Sequence, residues 1–138
     1  MRTFALGLAV LCLIASGCTH PQPHAAAPRP VPAEYAHVDP AGACKLIDAG
    51  QVTVIDLRTP AEFAAGHIAG AQLVDCQAPG FAQTLEKLDH SHPYLVHCAS
   101  GGRSSRSLVV FRQLGFVSVI HLDGGLHAWE AAGQPVQH

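Results

Sequence analysis

The chain has 138 residues, of which 49% are hydrophobic and only 13% charged, enough for one packed domain. Eight Lys and Arg against ten Asp and Glu give a formal net charge of −2, so there is no basic excess to draw a nucleic-acid backbone, and nucleic acid is not expected as a partner. No internal repeat is visible.

Part of the apolarity lies outside the fold. Met1 and Arg2 supply a short positive start, Phe4 to Ile14 form an unbroken apolar run, and Ala15-Ser16-Gly17-Cys18 follows. A run of about 11 residues is too short to span a bilayer, which takes roughly 20. Small residues at Ser16 and Gly17 suit a signal-peptidase pocket, and the next residue offers a thiol for lipid attachment. The pattern resembles a bacterial lipobox, with Ala15 in place of the usual Leu. It implies a signal over residues 1–17, lipidation of Cys18 and anchorage to a membrane through acyl chains, each worth about 0.8 kcal/mol per buried methylene. An ordinary cleaved secretory signal and an uncleaved anchor are the other readings. Thr19, which is not Asp, resembles the outer-membrane sorting signal of a two-membrane bacterium, with the domain facing the periplasm. Residues 18–35 are rich in Pro and Ala and read as an extended tether, in which His20 and His24 are solvated spacer rather than a metal site. The domain proper is expected over residues 36–138.

The five cysteines divide by position. Cys12 leaves with the signal and Cys18 is the lipid site. Cys44, Cys76 and Cys98 remain in the domain, an odd number that leaves at least one thiol free unless it pairs between molecules.

Asp39-Pro40 reads as N-cap and first helical position, Ala43, Leu46 and Ile47 as an apolar stripe, and Gly50 as the stop. Val52 to Leu57 is a buried strand rich in β-branched residues. Thr59-Pro60-Ala61-Glu62 is a capping box opening a short helix that closes at Gly66. Leu73-Val74 suggests another strand and Phe81 to Leu88 a helix. Tyr94 to Cys98 is the next strand, followed by Ala99-Ser100-Gly101-Gly102 and a helix from Arg103 to Leu114, with Leu108, Phe111 and Leu114 at helical spacing and Gly115 as its stop. Val117 to Ile120 is a strand, and Asp123-Gly124-Gly125 leads into a last helix bearing Trp129. Repeated βα units predict an α/β fold, a mostly parallel sheet with helices on both faces. Reactive loops of such sheets lie at the carboxyl ends of the strands, where Cys98 falls.

Chemistry concentrates in Cys98-Ala99-Ser100-Gly101-Gly102-Arg103-Ser104. A cysteine between a strand end and a helix start meets unpaired backbone N–H groups and the positive end of the helix dipole, both of which favour the thiolate. Gly101 and Gly102 can take positive φ and curl the loop's amides around one point. Such a cradle suits a persulfide or an oxyanion. A lone cysteine beside a turn is more often inert; the loop, the glycines and Arg103 together point to reactivity. Arg106, one helical turn beyond Arg103, adds positive charge near the mouth.

Three segments then carry a resemblance. Asp56-Leu57-Arg58-Thr59-Pro60-Ala61-Glu62-Phe63, continuing through Gly66-His67-Ile68 to Gly70-Ala71, looks like the upstream signature of the rhodanese family. Cys98 to Ser104 resembles its active-site loop, and Leu122-Asp123-Gly124-Gly125 through Trp129 its closing motif, in the family's order over about residues 36–136. The resemblance implies the rhodanese fold with a five-stranded sheet, Cys98 as nucleophile, and a loop of Ala99, Ser100, Gly101, Gly102, Arg103 and Ser104 that binds substrate. Asp56 and Arg58 are expected to fix that loop through hydrogen bonds. Glu62 has its role in the capping box, His67 is a packed hydrogen-bonding residue, and Trp129 is core. His97 adjoins Cys98 on a strand, so its side chain points to the opposite face and is no proton acceptor for that sulfur.

Cys98 to Arg103 spans six residues inclusive, the length that in this family accompanies sulfur transfer; related phosphatases and arsenate reductases have one more. Ala99 stands where many such sulfurtransferases carry Arg or Lys, so one anion-attracting charge is missing. The implied mechanism is ping-pong covalent catalysis in which sulfur passes from thiosulfate or a persulfide donor, through Cys98, to cyanide or a thiol. No metal and no organic cofactor is implied. A non-catalytic sulfur-relay or protein-interaction module is the alternative from another class.

Overall fold

The computed structural model describes residues 35–138; the signal, lipidation and tether readings, except at Tyr35, lie outside the described residues. Ten elements alternate along the chain: β1 Tyr35–Val38, α1 Pro40–Asp48, β2 Thr53–Asp56, α2 Pro60–Ala64, β3 Gln72–Leu73, α3 Phe81–Leu85, β4 Tyr94–His97, α4 Gly102–Gln113, β5 Val119–Leu122 and α5 Gly125–Ala131. The strands form one sheet in the order β1-β5-β4-β2-β3. Every pairing within it is parallel. β4, β2 and β5 therefore have neighbours on both sides, which is why they read as continuous apolar runs rather than alternating ones.

Two apolar clusters cover the two faces. Leu85 of α3 and Leu108 and Phe111 of α4 pack on Ile55, Val96 and Val119. Ala43 of α1 and Leu126 and Trp129 of α5 pack on Val54, Leu95 and Ile120. Alternation along each strand thus sends successive side chains to different helices. Trp129 is core, and its indole N–H donates to the Pro135 carbonyl at 2.9 Å. Cys44 packs with the second cluster and Cys76 with the first, on opposite faces of the sheet.

Local signals place the helix starts. Asp39 caps α1 by accepting from the Gly42 N–H at 2.8 Å, with Pro40 in the first turn. Thr59 and Glu62 close a reciprocal capping box on α2.

Several boundaries differ from the sequence reading. β1 opens at Tyr35, inside the stretch read as tether, and no strand was expected there. Its four residues have no pattern of their own and are specified by pairing with β5, from Tyr35 against Val119 to Val38 against Leu122. β5 lies two residues later than the β-branched run Val117 to Ile120 suggested. Val117 is 43% exposed, whereas His121 is buried through polar contacts that a hydropathy pattern does not register. α3 stops at Leu85, short of Leu88.

Candidate active site

Cys98 is the first residue beyond β4, at the carboxyl edge of the sheet. Val96 faces the α3 and α4 side and His97 the other, so Cys98 returns to the α4 side at the floor of the loop, 1% exposed. Gly101 turns the chain with φ 91°, in the left-handed region where a side chain is strained, and immediately caps α4. Gly102 departs from expectation: it opens α4 with an ordinary helical φ, and a Cβ there would meet only Arg106 Nη1 at 3.6 Å.

The loop converges on the sulfur. The Gly101 N–H donates to Cys98 Sγ at 3.2 Å and the Ser104 hydroxyl at 3.4 Å. N–H groups of Arg103 and Ser104, in the first turn of α4 where no intrahelical acceptor exists, also serve the sulfur. Burial, the largest single influence, pushes the thiol up. The Ser104 hydroxyl, with the N–H groups of Ser104, Arg103 and Gly101, outweighs it and holds Cys98 below the ordinary cysteine value. Ala99 is half-buried and Ser100 exposed, at the crest of the loop.

The closing motif seats the loop from the other side. The Leu126 and His127 N–H groups at the start of α5 donate to the Cys98 and Ala99 carbonyls, each at 2.9 Å. A Cβ on Gly125 would lie 2.5 Å from the Cys98 oxygen and 2.8 Å from the Ala99 oxygen, so only glycine allows this approach.

Arg103 makes a contact that the sequence reading did not include. Its Nη1 and Nη2 donate to Glu62 Oε2 and Oε1 at 2.9 and 2.5 Å, so the guanidinium ties α2 to α4. Glu62 thus has a second task beyond its capping box. The Arg103 hydrogen bonds, helped by Thr59 and opposed by burial, hold the Glu62 carboxyl down to about 2. Beside the loop is a cleft of about 280 Å³ lined by Arg103, Arg106, Cys76, Gln77, Phe81 and Val110. Burial pushes the Cys76 thiol up.

Asp56 and Arg58 do not hydrogen-bond the Cys98 loop, contrary to expectation. Arg58 grips Asp56 through Nε and Nη2 at 2.6 to 3.0 Å, and Nη2 also donates to the Gly66 carbonyl at 2.7 Å. Asp56 sits beside His97 in the β2–β4 register, so both lie on the face away from the sulfur. Among the described residues His97 stands between them and the loop: its Nδ1 donates to the Cys98 carbonyl at 3.1 Å, while its Nε2, 3.7 Å from Asp56 Oδ2, has no hydrogen-bond partner. Burial favours neutral His97, with Asp56 opposing. His67 bonds the Phe63 carbonyl at 3.0 Å and stacks on the Phe63 ring, closing α2.

Two residues escaped the sequence reading. His97 points away from the sulfur, as expected, but its bond to the Cys98 carbonyl was not anticipated. His121 was not singled out at all; its Nε2 lies 2.9 Å from Ser104 Oγ and 3.1 Å from the Gly101 carbonyl. The available signal was a histidine inside a strand whose other residues are all apolar.

A model of the Rhodanese-like domain family matches residues 39–132. A thiosulfate sulfurtransferase GlpE of Pseudomonas putida is 34% identical over 98 residues, covering 71% of this chain and 87% of its own length. The GlpE of Pseudoalteromonas translucida is 30% identical, over 71% of this chain and 91% of that protein. The probable adenylyltransferase/sulfurtransferase MoeZ of Mycobacterium tuberculosis is 34% identical over 64% of this chain, which spans only 23% of MoeZ. Among solved structures, a rhodanese-related protein of Thermoplasma volcanium superimposes with a TM-score of 0.67 at 28% identity, covering 75% of this chain and 98% of that one. A protein of unknown function from Rhodopseudomonas palustris, described as a possible tyrosine phosphatase, gives a TM-score of 0.60 at 28% identity over 75% and 85%. With its five-stranded parallel sheet, helices on both faces and a cysteine loop at the carboxyl edge, the chain belongs to the rhodanese-like domain family.

Proposed function

We propose that the chain is a sulfurtransferase that carries a sulfane sulfur on Cys98. The observation that supports this best is the convergence of the Gly101 N–H and the Ser104 hydroxyl, with further first-turn amides of α4, on a single buried sulfur. The Cys98 thiolate attacks the outer sulfur of thiosulfate; the sulfur–sulfur bond of the donor breaks and sulfite leaves with the electron pair. The anionic persulfide remains under the amides. Cyanide or a thiolate then attacks the outer sulfur, and the Cys98–sulfur bond breaks to return the thiolate. Both leaving groups depart as anions, so the steps need no general base, and His97 faces away from the sulfur. GlpE relatives named thiosulfate sulfurtransferases support thiosulfate as donor. The six-residue span from Cys98 to Arg103 favours sulfur over the larger tetrahedral phosphate. The test is mass spectrometry of the protein after thiosulfate: one added sulfur atom on the peptide containing Cys98 is expected, and an unmodified Cys98 in a folded protein refutes the proposal.

A second part of the reading concerns place. Ala15 to Cys18 supports a lipid anchor on Cys18 that holds the enzyme on the outer membrane facing the periplasm, outside the described residues. Labelled palmitate should enter the wild-type chain and not Cys18→Ala; a soluble, unlabelled wild type in its native host refutes the anchor and leaves the chemistry standing.

A further inference from the structure

Behind Ser104 lies a cluster that sulfur transfer does not use. β1 pairs with β5 so that His37 stands directly beside His121, and Asp123 follows one residue after the strand ends. His37 Nδ1 is 2.8 Å from Asp123 Oδ1, His121 Nδ1 is 3.1 Å from the same oxygen, and the two Nδ1 atoms are 3.2 Å apart. His121 is buried, whereas the side chains of His37 and Asp123 are 53% and 57% exposed. Three ligand-type atoms therefore form a nearly equilateral triangle with its open side toward water.

Hydrogen-bond accounting gives that triangle two states. With its proton on Nδ1, His121 donates to Asp123 Oδ1 while Nε2 accepts from the Ser104 hydroxyl; with its proton on Nε2, it donates to the Gly101 carbonyl, which can only accept. In the second state the Nδ1 of a neutral His121 directs its lone pair toward Asp123 Oδ1 and His37 Nδ1. The carboxylate also brings lone pairs only, and a single N–H from His37 cannot serve both acceptors. A cation among the three atoms satisfies all of them. Tetrahedral ligands of a zinc-sized ion, with bonds of about 2.0 to 2.1 Å, stand about 3.3 Å apart, so the triangle needs to open by only a few tenths of an ångström. Metal-bound histidines characteristically donate their other ring N–H to a backbone carbonyl, the contact His121 makes with Gly101.

We propose that His37 Nδ1, His121 Nδ1 and Asp123 Oδ1 form a site for a divalent transition-metal ion such as Zn²⁺, with a fourth position open to solvent, and that the bound ion fixes the hydrogen bond from Ser104 to Cys98. Imidazole nitrogens with one carboxylate suit zinc and its neighbours better than calcium or magnesium. The link to Cys98 follows from the tautomer. The Ser104 hydroxyl has one proton and three acceptor positions within reach: Cys98 Sγ, the Gly101 carbonyl and His121 Nε2. A metal on Nδ1 keeps the proton on Nε2, which becomes a donor, and the Ser104 proton is left for the sulfur or the carbonyl.

Binding is read without reference to sulfur transfer. The full chain in detergent, with His20→Ala and His24→Ala removing the imidazoles of the N-terminal segment, is titrated with Co²⁺ and followed by its d–d absorption. One saturable equivalent with the intense bands of tetrahedral cobalt is expected, displaced by Zn²⁺. His37→Ala and Asp123→Asn, both at exposed positions, should each weaken it by at least about tenfold. Absence of saturable absorption, or equal affinity in both variants, overturns the site. Saturating Zn²⁺ should also change the rate at which iodoacetamide alkylates Cys98 in the parent chain but not in His37→Ala; an unchanged rate in a chain that binds metal overturns the link to Cys98.

Discussion

The two faces of the sheet at its carboxyl edge each bury a polar cluster, and they end in opposite chemistry. On one, Arg58 meets Asp56 at Nε and Nη2 and spends its remaining reach on Gly66, so charge and donors close on themselves. On the other, donors from Gly101 and Ser104 converge on a sulfur that has no counter-charge among them. Burial is comparable, Asp56 at 0% and Cys98 at 1% exposed, so burial alone does not mark a reactive group. What separates them is whether the hydrogen-bonding capacity is used up within the cluster or aimed at an atom able to take a negative charge.

The sharpest break of that comparison is Cys98→Ser. Serine keeps the shape but neither ionises at neutral pH nor holds a persulfide, so sulfur transfer from thiosulfate to cyanide should fall by a thousandfold or more, on the order of losing a catalytic nucleophile, with unchanged circular dichroism. Substantial residual turnover would move the sulfur to Cys76, which lines the cleft beside the loop, or to Cys44.

Arg58→Ala probes the opposite face. It leaves Asp56 charged and buried without its partner, and urea denaturation should register a loss of about 3 to 5 kcal/mol. A loss under about 1 kcal/mol would mean that the pair is not the closed unit described here.

Arg103→Ala should raise KM for thiosulfate by about tenfold, equivalent to about 1.4 kcal/mol, and affect a neutral sulfur donor less. Equal losses for both donors would show that the tie to Glu62, rather than the positive charge, is what the site requires. Ser104→Ala removes one donor among several and should slow iodoacetamide alkylation of Cys98 at neutral pH by about threefold to tenfold, as the thiol drifts back toward its ordinary value. An unchanged rate would assign the depressed thiol to the backbone amides alone.

The smallest effect is on pH dependence. Glu62 is held at about 2 against an ordinary 4.5, so the folded state favours its charged form. Its contribution is complete above about pH 4.5 and drains away as pH falls toward 2. Its side chain is 34% exposed, so solvent screens the pair and the contribution is modest. Glu62→Gln should flatten the acid limb of the stability curve by lowering stability near neutrality toward its acid value, with little change near pH 2.

Sequence pattern carried the fold class and the loop around Cys98 because both rest on local rules. Asp39 and Thr59 name their caps, and Cys98 stands between a strand, Tyr94–His97, and a glycine turn. Long-range pairing was opaque. Tyr35 to Val38 has no strand signature until β5 lies beside it, and Arg103 had no way to announce Glu62 across 41 positions. His121 was hidden for the same reason: its neighbours His37 and Ser104 come from β1 and α4, 84 and 17 positions away. Asp56 and Arg58 were recognised as a unit but assigned to the wrong side, since spacing does not say which face of a sheet a hydrogen bond serves.

The seating of Gly125 against the Cys98 and Ala99 carbonyls has a temporal meaning. The sulfur is encoded about two thirds of the way along the chain, yet the loop around it is held by amides from α5, close to the end. A growing polypeptide released only as far as α4 contains the thiol and the first-turn amides but not the floor that fixes their angle. During synthesis Cys98 therefore lacks part of its hydrogen-bonded setting until α5 has emerged and docked.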